Sequence, residues 1–294
     1  MTPHPLQLPP GPVDLAAIPT DATPGWTRGK KAGLLAMEEH GPALADLQER
    51  LYAGGRAGTT DRRVLLVLQG LDTSGKGGVV RHTVGLVDPQ GVRITSFKKP
   101  TPEELEHDFL WRVRRALPEP GYLGVFDRSH YEDVLVARVE ALAPPAEIAG
   151  RYARINDFER ELVEDGTVVL KCLLHISRAE QRERLLARLD DPTKHWKYNP
   201  GDLDVRAKWE DYRTAYELAL QRTNTDHAPW YVVPSDKKWY RNLAVGQLLM
   251  TALQGLELTW PAADFDVAGE RARLLSEDAQ VETQIEPRAE ARTE

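Results

Sequence analysis

Residues 63–78, "RVLLVLQGLDTSGKGG", constrain the fold more than any other stretch of the chain. Residues 64–68 are five apolar residues in a row, with no polar alternation. A strand of that kind has both faces covered, as at the centre of a parallel sheet. The run ends at Gly70, and Gly75 and Lys76 then complete the spacing G-x-x-x-x-G-K. In such a loop the glycines let the backbone wrap a phosphate with its N–H groups inward. The lysine adds a cation, and the following helix adds its positive end. The bland alternative is an ordinary strand-to-helix turn, but an apolar strand before and a helix after are the context a phosphate loop requires. Gly70, Thr73, Ser74, Gly75, Lys76, Gly77 and Gly78 are therefore phosphate-binding candidates. Two features are unusual. The position after the lysine, where such loops often place a magnesium-binding hydroxyl, is Gly77, and a carboxylate, Asp72, lies inside the loop.

The rest of the chain repeats the strand-then-helix order. Helices are expected over 31–53, 76–87, 101–117, 131–142, 147–166 and 238–256, and through most of 178–225. Strands are expected over 63–70, 91–97, 121–131, 167–177 and 228–236. This alternation implies a five-stranded parallel sheet with helices on both faces. Ligands then bind at the carboxyl ends of the strands. Three polar clusters, "GLDTSGKGG", "SFKKPT" and "FDRSHYED", each follow an expected strand and would converge on one sheet edge. Residues 1–30 read as an extended, proline-rich arm, 31–260 as one domain with a helical lid at about 180–225, and 261–294 as an acidic tail.

Composition narrows the function classes. No apolar run is long enough to cross a bilayer, and the N-terminus lacks the pattern of a signal peptide. One cysteine, Cys172, excludes an internal disulfide framework and a cysteine-based zinc site, so a cytoplasmic setting is the expectation. Cys172 itself reads as a buried bystander. The net charge of −7 disfavours a polyanionic partner at first sight, but the acids crowd the last residues while Arg and Lys gather in a few segments. A basic channel in an acidic protein is compatible with that distribution. No aromatic–basic interleaving suggests nucleic acid, and no histidine spacing suggests a metal.

"YLGVFDRSH" is an apolar strand ending in Asp127, the shape of an element that holds magnesium at a strand end. Asp72 and Asp127 together could supply two hard carboxylates, so the missing hydroxyl at position 77 need not abolish metal binding; the alternative for Asp72 is a cap on the loop's backbone N–H groups. Arg128 is either a structural ion-pair partner or a phosphate clamp, and its forked geometry favours the clamp. Arg182, Arg184, Arg188, Lys194, Lys197, Arg206 and Lys208 crowd the helical segment around "DDPTKHWKYNPGDL". That charge reads as a solvated helix face or as a lid that closes over phosphates, with Arg188 the leading lid residue. Trp196 and Trp209 read as packing anchors.

The blocks "GLDTSGKGGVVRH", "SFKKPTPEELEHDFLWR", "FDRSHYEDVLVARV", "RLDDPTKHWKYNPGDL" and "APWYVVPSDKKWYRNLAV" resemble the successive signatures of the second polyphosphate kinase family, over residues 30 to 258. The resemblance implies a P-loop kinase fold like thymidylate kinase with a helical lid. It implies magnesium-dependent phosphoryl transfer (manganese as the alternative ion) between inorganic polyphosphate and adenine nucleotides, with guanine nucleotides a second candidate. It makes Asp72, Lys76, Asp127, Arg128 and Arg188 catalytic, with Asp72 and Asp127 holding the metal. Polymer-channel candidates are Arg81, Lys98, Lys99, Lys194, Lys197, Lys237, Lys238 and Arg241. "DRSHYEDVLV" is similar to the group that accepts both mono- and diphosphates, so Arg128, Glu132, Asp133 and Arg138 are the nucleotide-binding candidates. A homo-oligomer, dimer or tetramer, is expected, without nucleic-acid or membrane partners. The alternatives are an ATP-dependent nucleoside monophosphate kinase and a catalytically silent nucleotide sensor.

Overall fold

The computed structural model describes residues 4–277. Its centre is a parallel five-stranded sheet in the order β2-β3-β1-β4-β5, formed by β1 (Arg63–Gln69), β2 (Val92–Ser96), β3 (Leu123–Asp127), β4 (Thr167–His175) and β5 (Trp230–Pro234). Strand β1 lies between β3 and β4, and its apolar run divides by alternation. Val64, Leu66 and Leu68 enter one core layer, while Leu65 and Val67 enter the other. That two-sided burial is why the strand carries no polar alternation.

One layer lies under α1 (Lys30–Arg56), α2 (Lys76–His82) and α10 (Lys238–Gln254). The opposite layer lies under α6 (Pro145–Glu164) and α9 (Trp209–Thr223). At its heart is a buried ionic group. Lys171 Nζ donates to Glu159 Oε2 at 2.6 Å, to Tyr131 Oη at 3.0 Å and to the Thr223 carbonyl at 2.7 Å. Tyr131 Oη in turn donates to Glu159 Oε1 at 2.8 Å.

Several helices are shorter than the sequence suggests. The expected helix over 101–117 is two, α3 (Pro102–Leu105) and α4 (Trp111–Arg115), because the Asp108 carboxylate accepts from the Leu110 N–H and turns the chain between them. The expected helix after β3 is a 3-10 turn, His130–Asp133, followed by α5 (Val136–Val139). The helix after the glycine loop becomes a 3-10 turn at Val84–Leu86. The segment from 178 to 223 comprises α7 (Arg178–Leu189), a 3-10 turn at Pro192–Lys197, α8 (Asp202–Ala207) and α9. Trp196 is no packing anchor. It is 79% exposed, with Lys197 over its ring.

The described part of the N-terminal arm is built into the main unit. It contains a 3-10 turn at Leu15–Ala17 and buries Leu6, Leu8, Leu15 and Trp26. Gln7 bridges Tyr231 in antiparallel sense, with the Leu8 N–H donating to the Trp230 carbonyl at 2.8 Å, so the arm covers the β5 edge. Among the described residues, 4–259 form one compact unit and those from 260 onward a second. Residues 267–277 are helical, and the acidic-tail expectation for 278–294 lies outside the described residues. Among the described residues no helix is long and apolar enough to cross a membrane.

Candidate active site

The loop between β1 and α2 is shaped by backbone conformations that ordinary residues avoid. Gly70 has φ 147°, and a Cβ there would meet Ser74 Oγ at 2.7 Å and the Leu174 carbonyl at 2.8 Å. Thr73 has φ 66° although it carries a side chain. Strain of this kind persists only where neighbours enforce it. Here the enforcing group is Arg184 on α7, whose Nη1 donates to the Thr73 and Ser74 carbonyls at 2.8 and 3.0 Å. Its Nη2 reaches the Ser235 and Asp236 carbonyls after β5, so one buried guanidinium ties the loop to two other chain segments. Gln181 Nε2 adds a bond to the Asp72 carbonyl at 3.1 Å.

Lys76 is buried and donates to the Gly70 carbonyl at 2.7 Å. Burial lowers its pKa and Arg128 adds to that, against the opposing fields of Asp72, Asp127 and Glu132. The parallel register sets Asp127 beside Leu68 at the end of β1, which is how β3 delivers its acid to the loop. The Asp127 carboxylate has no hydrogen-bond or ion-pair partner among the described residues. Arg128, at φ 64°, donates from Nη2 to Asp72 Oδ1 at 2.8 Å. Burial alone would lower its pKa, but Glu132 and Asp72 more than offset that and hold it above its ordinary value. With its amide nitrogen facing the acid, Gln69 donates to Glu132 Oε1 at 3.2 Å and accepts from Ser129 Oγ at 3.0 Å. Burial raises the Glu132 pKa, opposed by Arg128 and Lys76.

Two cavities flank this loop. One, of about 370 Å³, is lined by Asp72, Arg128, Glu132, Asp202, Lys208 and Tyr216. The other, of about 900 Å³, is lined on its polar side by Gly75, Gly78, Arg184, Lys237, Lys238 and Arg241. Arg241 is 3% exposed, and its guanidinium lies against the glycines. A Cβ on Gly75 would meet Nη1 at 1.8 Å, and one on Gly78 would meet Nη2 at 2.4 Å. Burial, then the nearby Arg184 charge, brings the Arg241 pKa down to about 10. Lys238 is lowered too, by burial and then by Arg184. Gly77, in contrast, has open space where its Cβ would be.

The structure thus gathers Gly70, Asp72, Thr73, Ser74, Gly75, Lys76, Gly78, Asp127, Arg128, Glu132, Lys237, Lys238 and Arg241 around one loop. Arg188 joins through Asp202. Its Nη1 donates to the Lys197 carbonyl at 2.9 Å and lies 3.5 Å from Asp202 Oδ2. The field of Asp72 reaches Asp202, whose pKa is raised by burial first and by Asp72 second. Other candidates sit elsewhere. Arg81, Lys98 and Lys99 are exposed and line neither cavity. Asp133 turns away from Glu132 and lies between Arg112 and Arg151, at 3.4 and 3.8 Å. Arg138 is exposed near Tyr152. Lys194 pairs with Asp191 at 2.6 Å, although its charge still reaches Lys238, and Lys197 covers Trp196. In the sequence nothing marks Asp202 or Tyr216, and Arg184 stands as one of several crowded charges. The signal for Arg184 was its register. Gln181, Arg184 and Arg188 fall at i, i+3 and i+7, one face of α7.

A parallel sheet with a glycine–lysine loop after its central strand, an acid ending the next strand and arginines brought in by a helical segment defines a phosphotransferase of the P-loop kinase type. The chain belongs to the polyphosphate kinase 2 family, whose sequence profile matches residues 33–259. It is 46% identical to the AMP/ADP-polyphosphate phosphotransferase of Meiothermus ruber, over 86% of this chain and 93% of that protein. It is 41% identical to the ADP-polyphosphate phosphotransferase of Rhodopseudomonas palustris, over 85% and 88%. Among solved structures, polyphosphate kinase 2 from Arthrobacter aurescens superposes with a TM-score of 0.88 at 54% identity, covering 92% of this chain and 95% of that one.

Proposed function

We propose that this chain transfers phosphoryl groups from inorganic polyphosphate to AMP and to ADP, giving ADP and ATP. The observation that carries the reading is the pair of cavities on either side of one phosphate loop. The cations Arg184, Lys237, Lys238 and Arg241 of the larger cavity suit a polyanionic donor. The cavity with Arg128, Glu132 and Tyr216 suits the acceptor nucleotide. The names of the Meiothermus ruber and Rhodopseudomonas palustris relatives agree with this donor and with these acceptors.

In this reading the loop N–H groups and Lys76 hold the terminal donor phosphate, and the acceptor's terminal phosphate oxygen attacks it in line. That oxygen is already ionised at neutral pH, so no strong general base is needed. Arg128 and Arg188 neutralise charge spread over the transferred group. Asp72 and Asp127 fit a divalent ion. Asp127 offers a carboxylate beside the loop that is unpartnered among the described residues, and Asp72 offers a second that it shares with Arg128. Such a pattern suits magnesium, which takes one or two carboxylates and keeps water and phosphate oxygens as its other ligands. When bound, the ion supplies charge neutralisation between donor and acceptor phosphates. The test is incubation of AMP or ADP with polyphosphate and magnesium in the absence of ATP. ADP and ATP should form from AMP, and ATP from ADP. If neither forms while added ATP supports AMP phosphorylation, the protein is an ATP-dependent monophosphate kinase instead.

A further inference from the structure

The larger cavity has a second wall that a polyphosphate chain cannot use. Besides its cations, it is lined by Leu34 and Met37 of α1, Leu86 after α2 and Trp239 of α10. Lys30, Leu34 and Met37 fall at i, i+4 and i+7, so α1 turns one continuous stripe into the cavity. Leu34 is 46% exposed. Trp239 is seated against α1 at Gly33, where a Cβ would meet its ring at 2.5 Å. Inorganic polyphosphate is charged along its whole length and gains nothing from apolar surface. A cavity that combines buried cations with an aromatic and aliphatic lining matches a ligand that is itself split into a charged and an apolar part. At about 900 Å³ it has the volume for such a ligand.

We infer that the donor cavity also accepts a nucleoside polyphosphate, with its base against Leu34, Met37, Leu86 and Trp239 and its phosphates toward Arg241 and the Gly75–Gly78 turn. The inference rests on the reading of this cavity as the donor side. Its consequence is a second activity, phosphoryl transfer from one ADP to another. The bond between the β-phosphorus and the bridging oxygen of the donor ADP breaks, and the electron pair stays on the α-phosphate. A terminal oxygen of the acceptor ADP in the smaller cavity forms the new bond. The products are AMP and ATP, with no oxidation or reduction and no other reactant. The α1 stripe supplies the donor-base pocket that an enzyme limited to polyphosphate would not need.

The experiment uses the full chain, freed of polyphosphate by exopolyphosphatase treatment and repurification. It is incubated with ADP and magnesium alone, and products are quantified by ion-exchange chromatography. AMP and ATP should appear in equal amounts. Leu34→Gln should slow that reaction by about tenfold, the scale of losing one apolar side-chain contact to a ligand, while ATP formation from polyphosphate and ADP stays within about twofold. Absence of AMP and ATP from ADP alone, with the polyphosphate reaction intact, would overturn the inference and leave the proposed function standing. Equal rates of the ADP-only reaction in the wild type and Leu34→Gln would also overturn it, since the base would not lie on that wall. Loss of the polyphosphate reaction in the wild type would count against the proposed function itself.

Discussion

At the residue scale, the loop's meaning depends on which side chains stand free. Asp127 does, while Asp72 is shared with Arg128. Asp127→Asn keeps the shape and removes the charge. Turnover should fall about a hundredfold or more, the scale of losing a metal-held charge, with an unchanged circular dichroism spectrum; near-normal turnover would refute the metal assignment. The adjacent glycines make a sharper pair. Gly77→Ala enters open space inside a helix and should raise stability by up to about 1 kcal/mol. Gly78→Ala drives a methyl into the Arg241 guanidinium and should lower the melting temperature instead. Both follow from thermal unfolding of the two variants. The absent hydroxyl at 77 and the carboxylate at 72 were readable from sequence alone. The packing of Arg241 on Gly75 and Gly78 was not, because α10 lies more than 150 residues away and only the β1–β4–β5 crossovers bring it back.

At the element scale, the parts that position the site are those the sequence described least. The strands and long helices were legible because two-sided burial and periodicity leave plain patterns. The short helices after β2 and β3 were merged or lengthened, since local Asp and Ser side-chain bonds break a helical pattern that composition alone continues. The arm is the larger surprise. Thr20 Oγ1 donates to Asp236 Oδ2 at 2.7 Å, and the Asp236 N–H donates to the Thr20 carbonyl at 3.0 Å. Asp236 Oδ1 accepts from the N–H of Ser177, the residue that caps α7, and the Asp236 carbonyl accepts from Arg184. The arm is thus linked to the phosphate loop through Asp236 and Arg184. Thr20→Val should raise the polyphosphate KM about fivefold, the cost of about one hydrogen bond, with the AMP KM unchanged and Thr20→Ser restoring it. A uniform loss of activity with a lower melting temperature would make the contact merely structural.

At the scale of the whole molecule, stability and the site share the buried Lys171–Glu159 group. It joins β4, α6 and the Tyr131 turn to the Thr223 end of α9, the helix that carries Tyr216 to the smaller cavity. Glu159→Gln leaves a buried lysine without its counter-charge and should cost about 3 kcal/mol or more in urea unfolding. Burial alone would raise the Glu159 pKa, but Lys171 and His130 outweigh it and hold it below its ordinary value of 4.5. A carboxylate depressed in the folded state stabilises the protein above the unfolded-state pKa. It loses that contribution as pH falls through the folded value. The wild type should therefore lose its advantage over Glu159→Gln below about pH 4.5, and a difference independent of pH in that range would contradict the ionised pair.

The central claim is that donor and acceptor meet from opposite sides of one loop, and steady-state kinetics of Arg241→Gln test it most directly. With polyphosphate varied at saturating AMP, and AMP varied at saturating polyphosphate, the variant should show a polyphosphate KM about tenfold higher, the loss of a charged contact, and an AMP KM within about twofold of the wild type. An AMP KM that rises in Arg241→Gln while the polyphosphate KM stays fixed would place the nucleotide on the arginine side and contradict the account.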